Sequence, residues 1–180
     1  FSVRTDADGK EQVRCYSLSE YGDAGQYRIS VKRVPESSNP STRTPVSVYF
    51  HDMLQAGDQL NVRAPMGRFV LDTASDVPVV LIAGGIGITP IKSMAQALEA
   101  RGAVFQLHYA GRSPGEMPFR DRLERQLGDR LSLYSSTDGE RMDVEKILKA
   151  AAEDVVIYVC GPRRLISAVT EVAKALGIAR

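Results

Sequence analysis

The chain has 180 residues, of which 43% are hydrophobic and 25% are charged, a composition typical of globular domains that excludes collagen-like and disordered chains. Lys and Arg number 23 and Asp and Glu number 22, so the chain lacks the basic surplus that sequence-independent nucleic-acid binding requires. Since no apolar run approaches the ~20 residues that cross a bilayer and residues 1–10 do not resemble a leader, the sequence predicts a soluble, cytoplasmic protein with neither nucleic acid nor membrane as partner.

The first half of the chain, up to about Leu71, alternates with a period of two and is interrupted by turn residues, which favours strands over helices. The clearest strands are residues 13–18 and 26–33, which are separated by a glycine-containing turn and predict a hairpin. After a loop rich in Ser and Pro, residues 46–54 predict a short helix. Further strands are predicted at residues 59–64 and 68–71.

From residue 78 onward, segments rich in Val, Ile and Leu alternate with segments of helical period, the pattern of repeated βα units around a parallel sheet. The predicted strands are residues 79–83, 103–110, 131–135 and 155–160. The predicted helices are residues 90–101, 118–127, 143–152 and 162–176. The fold class is therefore α/β plus β, with an antiparallel β domain over residues 1–73 and a doubly wound parallel sheet over residues 74–180.

The sharpest local signal is the turn that carries Gly84, Gly85 and Gly87, between a buried strand and a helix. Its glycines let the backbone approach a ligand closely. Thr89 is predicted as the helix N-cap and Pro90 as the first helical residue, so that the free amides of the helix N-terminus face a phosphate. Since Pro90 replaces the third glycine of the G-x-G-x-x-G pattern, a tight turn without a ligand is the alternative reading.

A second glycine turn, Cys160-Gly161-Pro162, closes the last predicted strand. Because ligands of doubly wound sheets bind at the carboxyl ends of the strands, both turns are predicted to face one crevice. Cys160 would lie in that crevice, although a cysteine at a strand end also suits a purely structural, buried position. The two cysteines are too isolated for a metal cage, and no metal site is predicted.

On the strand over residues 13–18, alternation places Arg14 and Tyr16 on one face and Cys15 and Ser17 on the other. The next strand adds further cations and aromatic rings: Tyr27, Arg28, Lys32 and Arg33. This set suits a flat, phosphorylated ligand. In the structural alternative, Tyr16 belongs to the core and Arg14 is a solvated charge.

Several motifs, taken together and in this order, resemble ferredoxin–NADP reductase-like flavoproteins. They are residues 14–18, 27–33, 57–58, 65–69, 84–90 and 160–162. Residues 108–114 resemble the phthalate dioxygenase reductase branch, and the strand over 27–33 also resembles flavohaemoglobin reductase modules.

The resemblance implies a flavin-binding antiparallel barrel, incomplete at its start, followed by a nicotinamide-nucleotide domain, with the flavin held between them. It implies that Arg14 holds the flavin phosphate, Tyr16 lies against the isoalloxazine and Ser17 hydrogen-bonds near its reactive nitrogen. Thr89 would touch the flavin as well. Lys32 is placed among the cofactor-binding residues.

Three departures from the family pattern accompany this resemblance. The chain begins at Phe1 and ends at Arg180, so the family's opening barrel strands and terminal segment are missing, as expected of a fragment. The usual glycine-rich flavin-phosphate turn is replaced by residues 44–51, where Ser47 is expected to keep the phosphate role. FMN is slightly favoured over FAD, because the phthalate-type branch suggests FMN.

For the nucleotide, the resemblance implies that Gly85 and Gly87 admit the pyrophosphate and that Cys160 stands beside the nicotinamide carbon that gives up hydride. Ser135 lies in a turn after the third strand that lacks the arginine of NADPH-specific relatives, so NADH is favoured. Arg112 and Arg141 leave NADPH as an alternative donor, since the guanidinium group of either residue could bind its extra phosphate.

The leading hypothesis is a reductase module that passes electrons from NADH through a bound flavin to an iron–sulfur ([2Fe-2S]) or haem partner, such as an oxygenase. Catalytic roles then fall to Ser17, Thr89 and Cys160. One alternative is a non-catalytic, regulatory NAD(H)-binding module without flavin, and another is a structural domain whose basic strand, residues 27–33, docks an acidic partner.

Overall fold

In a computed structural model of the protein, the described residues are 2–5, 12–21, 25–34, 46–67, 69–151 and 154–178. Contacts divide the chain into two compact units. The first unit contains residues 1–18 and 25–70, and the second contains residues 19–24 and 71–180. The described part of the chain has no helix of sufficient length and apolarity to cross a membrane. The predicted loop over residues 35–45 lies outside the described residues.

The first unit contains an antiparallel sheet with the strand order β2-β1-β3. Its strands are β1 (Ser2–Thr5), β2 (Gln12–Cys15) and β3 (Asn61–Arg63). The central strand β1 pairs on both sides, with Val3 opposite Arg14 and Val62. Strand β1 was not predicted, because four residues are too few to show a period.

The predicted strand over residues 26–33 is wrong, and its hairpin is reduced to one bridge between Leu18 and Ile29. The reason lies in helix α1 (Val46–Asp52), which was predicted correctly. Ser47 Oγ accepts a hydrogen bond from the Val34 amide at 3.2 Å, and His51 Nε2 donates to the Val31 carbonyl at 2.8 Å. Side chains of α1 therefore bind the Val31 carbonyl inside the predicted strand and the Val34 amide just after it, and these groups are not available to a neighbouring strand. The strand predicted over residues 68–71 is also absent at residues 69–71.

The second unit is a parallel sheet with the strand order β6-β5-β4-β7. Its strands are β4 (Val79–Gly84), β5 (Phe105–Gly111), β6 (Leu131–Ser135) and β7 (Val156–Cys160). Its helices are α2 (Ile88–Ala100), α3 (Arg120–Leu127), α4 (Val144–Ala150) and α5 (Arg163–Ala175). Each strand and helix lies within a few residues of its predicted range, and the predicted doubly wound sheet is confirmed.

Helices cover both faces of this sheet, which explains its long apolar strands. On one face, Leu81 of β4 belongs to a core with apolar side chains of α2 and α3. On the other face, Ile82 belongs to a second core with Leu148 of α4 and Val169 of α5. Both β4 residues have no exposed surface, so β4 is the centre of both cores.

The strand order reverses between β4 and β7. The chain runs from β4 to β5 and β6 on one side, and then returns to place β7 on the other side of β4. This reversal is a topological switch point, where helices leave the sheet in opposite directions and a crevice opens at the carboxyl ends. Both predicted glycine turns, after Gly84 and Cys160, lie at this point.

Candidate functional site

The turn after β4 starts the helix earlier than the sequence suggested. Residues Gly85–Gly87 form a turn of 3-10 helix, and α2 follows at Ile88 with Gly87 as its N-cap. The predictions of Thr89 as the N-cap and of Pro90 as the first helical residue are therefore wrong, because the 3-10 turn already leads the chain into the helix at Ile88. Thr89 is buried within the first turn, where its Oγ1 donates to the Ile86 carbonyl at 3.1 Å.

Close packing around the two glycine turns, including the side chains of Pro162 and Leu165, explains three of the glycines. A Cβ atom on Gly87 would overlap the Cys160 carbonyl and lie 2.7 Å from the Gly161 amide nitrogen. A Cβ atom on Gly84 would lie 2.8 Å from both Pro162 Cδ and Leu165 Cδ2. A Cβ atom on Gly161 would in turn lie 3.0 Å from the Gly84 Cα atom. Gly84 and Gly87 therefore leave no space for a Cβ atom unless their neighbours move, and Gly161 leaves only tight space, whether or not a ligand is present.

Gly85 differs from the other glycines of this turn. Its φ of +53° lies in the left-handed region that glycine tolerates best, and a Cβ atom there would meet nothing within 4 Å. The neighbouring Ile86 side chain is exposed. Gly85 therefore lies on the open side of the turn, which a nucleotide pyrophosphate could approach, and the turn fits the predicted ligand at this residue.

Cys160 is the last residue of β7 and is half-buried. Burial raises the pKa of its thiol above the ordinary value. Since the thiolate is the reactive form of cysteine, the Cys160 thiol stays protonated and unreactive at neutral pH. This environment suits a neutral group that packs against a ligand and does not suit a nucleophile.

The loops after β5 and β6 lie along the same edge of the sheet and are joined by hydrogen bonds. The Thr137 amide donates to the Arg112 carbonyl at 2.9 Å. Ser135 is buried, with its Oγ 3.1 Å from Thr137 Oγ1. The Arg112 side chain is 78% exposed, at 3.6 Å from Glu116, and Arg141 is exposed as well. Ser135 thus shapes the turn, whereas the two guanidinium groups are accessible to a ligand.

The predicted flavin-binding residues of the first unit have different environments. Arg14 is exposed on β2, and its NH1 donates to the Val13 carbonyl at 2.9 Å. Tyr16 is half-buried, burial raises the pKa of its hydroxyl, and its ring meets Phe50 of α1 edge to face at 5.5 Å. Ser17 and Lys32 are exposed.

These surroundings fit a flavin at Arg14, Tyr16 and Ser17, which offer an accessible cation, a supported aromatic ring and an accessible hydroxyl. Ser47 is different, because it is buried and its hydroxyl accepts the Val34 amide. Its phosphate role stays a prediction. Phe50, which supports the Tyr16 ring, was missed in the sequence analysis; the signal was an aromatic residue on the short predicted helix.

Comparisons with known proteins give a consistent result. Residues 1–71 match the family model described as an oxidoreductase FAD-binding domain, and residues 81–171 match that of an oxidoreductase NAD-binding domain. The oxidoreductase NdmD of Pseudomonas putida is 39% identical over 171 residues, which cover 93% of this chain and 28% of that protein.

Two solved structures have the same fold. The flavohaem-like FAD/NAD-binding domain of nitric oxide dioxygenase from Vibrio cholerae has a TM-score of 0.83 and 27% identity, covering 99% of this chain and 79% of that one. Phthalate dioxygenase reductase has a TM-score of 0.79 and 28% identity, and the match covers 96% of this chain and 53% of that one. The predicted resemblance to both groups is confirmed. The chain spans between about a quarter and about half of the length of the curated relatives it matches.

The contact between the two glycine turns can be tested with Gly87→Ala. The added methyl group has no space beside Cys160 and Gly161, so we expect a loss of about 1–3 kcal/mol in the free energy of unfolding, measured by denaturant titration with circular dichroism. Gly115→Ala is the matched control, because a Cβ atom there meets nothing within 4 Å. Equal stability of the two variants would contradict the close approach of the turns.

Proposed function

The chain belongs to the family of oxidoreductases with FAD-binding and NAD-binding domains, and we propose that it is the reductase part of an electron-transfer system. NADH is the hydride donor, and an iron–sulfur or haem centre is the final acceptor. The bound flavin supplies the conversion of one hydride transfer into single-electron transfers. The observation that carries this proposal is the meeting of two glycine turns at the β4–β7 switch point, in a chain whose first 71 residues match an FAD-binding domain.

In this proposal, the second unit binds and orients the nucleotide. The open side of the turn at Gly85 receives the pyrophosphate, because no side chain blocks the backbone there. The protonated Cys160 thiol packs beside the nicotinamide ring without reacting with it. Ser135 fixes the turn after β6, where Asp138 is exposed and would repel the extra phosphate of NADPH. The donor is therefore NADH.

In the first unit, Arg14 provides the cation for the flavin phosphate, since an arginine–phosphate pair forms strong, directional hydrogen bonds. Tyr16, held by Phe50, provides a flat apolar surface for the ring system. Ser17 provides a hydroxyl at the end of the same segment. Thr89, as the family pattern suggests, stays a proposed flavin contact. Of the two flavins that the sequence left open, the family description favours FAD.

The proposed acceptor follows from the relatives. Phthalate dioxygenase reductase is described as a modular structure for electron transfer from pyridine nucleotides to a [2Fe-2S] centre. We propose an acceptor of that kind, or a haem, on an oxygenase partner. A nicotinamide nucleotide donor agrees with a cytoplasmic location.

A second candidate function is an NAD(H)-binding module that binds no flavin. One observation favours it. The Ser47 hydroxyl accepts a hydrogen bond from the Val34 amide, and this bond competes with the binding of a flavin phosphate by Ser47. Uptake of flavin by the purified chain distinguishes the two functions.

Arg14→Ala tests the flavin site. Removal of a charge-assisted contact to the phosphate is expected to weaken flavin binding about 10- to 100-fold, measured by titration of flavin fluorescence. Arg125→Ala, at an exposed arginine of α3, is the control and is expected to keep the affinity of the unmodified protein. Equal affinities of both variants would remove Arg14 from the site.

Cys160→Ala tests the nicotinamide site. Loss of the side chain beside the ring is expected to lower the rate constant of flavin reduction at saturating NADH about 10- to 100-fold, with little change in the dissociation constant of NADH. Because burial raises the pKa of the thiol, the unmodified protein should show no titration of Cys160 between about pH 6 and 8. Stopped-flow absorbance without oxygen measures the rate constant and the dissociation constant. Ultraviolet absorbance of the thiolate across this pH range, compared with that of Cys160→Ala, measures the titration. An unchanged rate constant in the variant would refute the role.

A further inference from the structure

Lys92 is a fully buried lysine on helix α2, with no exposed surface. It lies in the apolar stripe of the helix, between Ile88 and Ala95, which are buried as well. An ammonium group in such a position is costly unless it is paired and hydrogen-bonded. The burial of the Lys92 ammonium group therefore requires hydrogen-bond and ion-pair partners that offset its loss of hydration.

The Lys92 ammonium binds the segment that follows strand β2. Its Nζ donates to Glu20 Oε1 at 2.6 Å and to the Ser19 carbonyl at 2.9 Å. It also lies over the Phe119 ring, 5.0 Å from the ring centroid. Lys92 thus contacts both the backbone and a side chain of this segment, and all these residues belong to the second unit.

Gln96, one helical turn further along α2, completes the arrangement. Its Nε2 donates to Glu20 Oε2 at 2.8 Å, and its Oε1 accepts the Tyr21 amide at 3.2 Å. Arg122 of α3 donates to Glu20 Oε1 at 3.1 Å. Burial opposes ionisation, but the hydrogen bonds from Lys92 and Gln96 hold the pKa of the Glu20 carboxyl below its ordinary value. Glu20 is therefore ionised at neutral pH.

A buried ion pair adds little net stability compared with apolar side chains of the same volume, but breaking it is costly because one charge is left buried. Such a pair can specify one arrangement of the chain. Here the arrangement is that of residues 19–21 on α2, the helix that starts directly after the glycine turn.

We propose that Lys92, Glu20 and Gln96 form a positioning clamp for Ser17, the hydroxyl of the proposed flavin site. Ser17 precedes Glu20 by three residues, so the covalent chain limits the distance between their Cα atoms to about 11 Å. The clamp therefore anchors to α2, within the second unit, the segment that begins two residues after Ser17. This inference rests on the proposed reductase function, and the clamp residues act through Ser17.

The first variant is Lys92→Met, which keeps an unbranched apolar side chain and removes the charge. Its matched control is Lys149→Met, which removes the lysine of an exposed ion pair with Glu145. Gln96→Leu is a second variant, which removes the bonds to the Tyr21 amide and to Glu20 Oε2 but leaves the Lys92–Glu20 pair in place. The full chain is used throughout.

Two measurements are made on each variant. Hydrogen exchange at the amides of residues 19–21, without flavin or nucleotide, reports the clamp itself. Stopped-flow reduction of bound flavin by saturating NADH, together with the dissociation constant of NADH, reports the positioning of Ser17.

For Lys92→Met we expect at least about tenfold faster exchange at Tyr21, with exchange in α5 unchanged. We also expect about tenfold or more slower flavin reduction, with the dissociation constant of NADH within about twofold of that of the unmodified protein. Gln96→Leu removes the acceptor of the Tyr21 amide itself, so we expect at least as large a change in exchange at Tyr21 but a smaller slowing of flavin reduction. Lys149→Met is expected to change neither.

Unchanged exchange in both clamp variants would overturn the clamp. Faster exchange with an unchanged rate of flavin reduction would overturn its positioning role. If Lys92→Met does not fold, Gln96→Leu decides by the same two criteria. If the unmodified protein binds no flavin, the proposed function fails and the positioning role with it, while the exchange data still show whether residues 19–21 are held by α2.

Discussion

The second unit depends on the close contact between the backbones of two glycine turns, one after β4 and one after β7. A Cβ atom on Gly87 would collide with the backbone of Cys160 and Gly161, and one on Gly84 would collide with Pro162 and Leu165. The contact lies where the strand order of the sheet reverses, and it holds the start of α2 against the end of β7. Everything proposed for the nucleotide follows from this contact, because it brings Gly85 and Cys160 to the same part of the sheet edge.

This packing also gives most of these glycines a structural role that does not depend on a ligand. In a dinucleotide-binding turn, the glycines serve the tight turn, the approach of the pyrophosphate and helix–sheet packing. Here Gly84 and Gly87 are explained by the neighbouring turn, and only Gly85 keeps an open side. The binding surface is therefore smaller than the glycine pattern suggests. A neutral Cys160 thiol beside it is consistent with a protein that aligns its ligands and leaves the chemistry to them.

Much of the second unit could be predicted because its strands and helices are long, apolar and bounded by Gly or Pro, such as Gly84 and Pro162. The first unit was harder to predict. Residues 26–33 have the period of a strand, but side chains of α1 bind the Val31 carbonyl and the Val34 amide. Hydrogen bonds between residues so far apart in the sequence do not alter the period-two pattern, so the pattern could not reveal them. The clamp was missed for a similar reason: Lys92 is one charged residue in an apolar stripe, and its partner Glu20 is 72 positions away.

The central claim is that this chain binds a flavin and passes hydride to it from NADH. It is tested most directly by the visible absorbance spectrum of the purified chain with FAD, recorded without oxygen before and after addition of NADH, and in parallel with NADPH. We expect a bound-flavin spectrum that NADH bleaches rapidly and NADPH bleaches more slowly. A chain that binds NADH but takes up no flavin, or a bound flavin that neither nucleotide reduces, would contradict it.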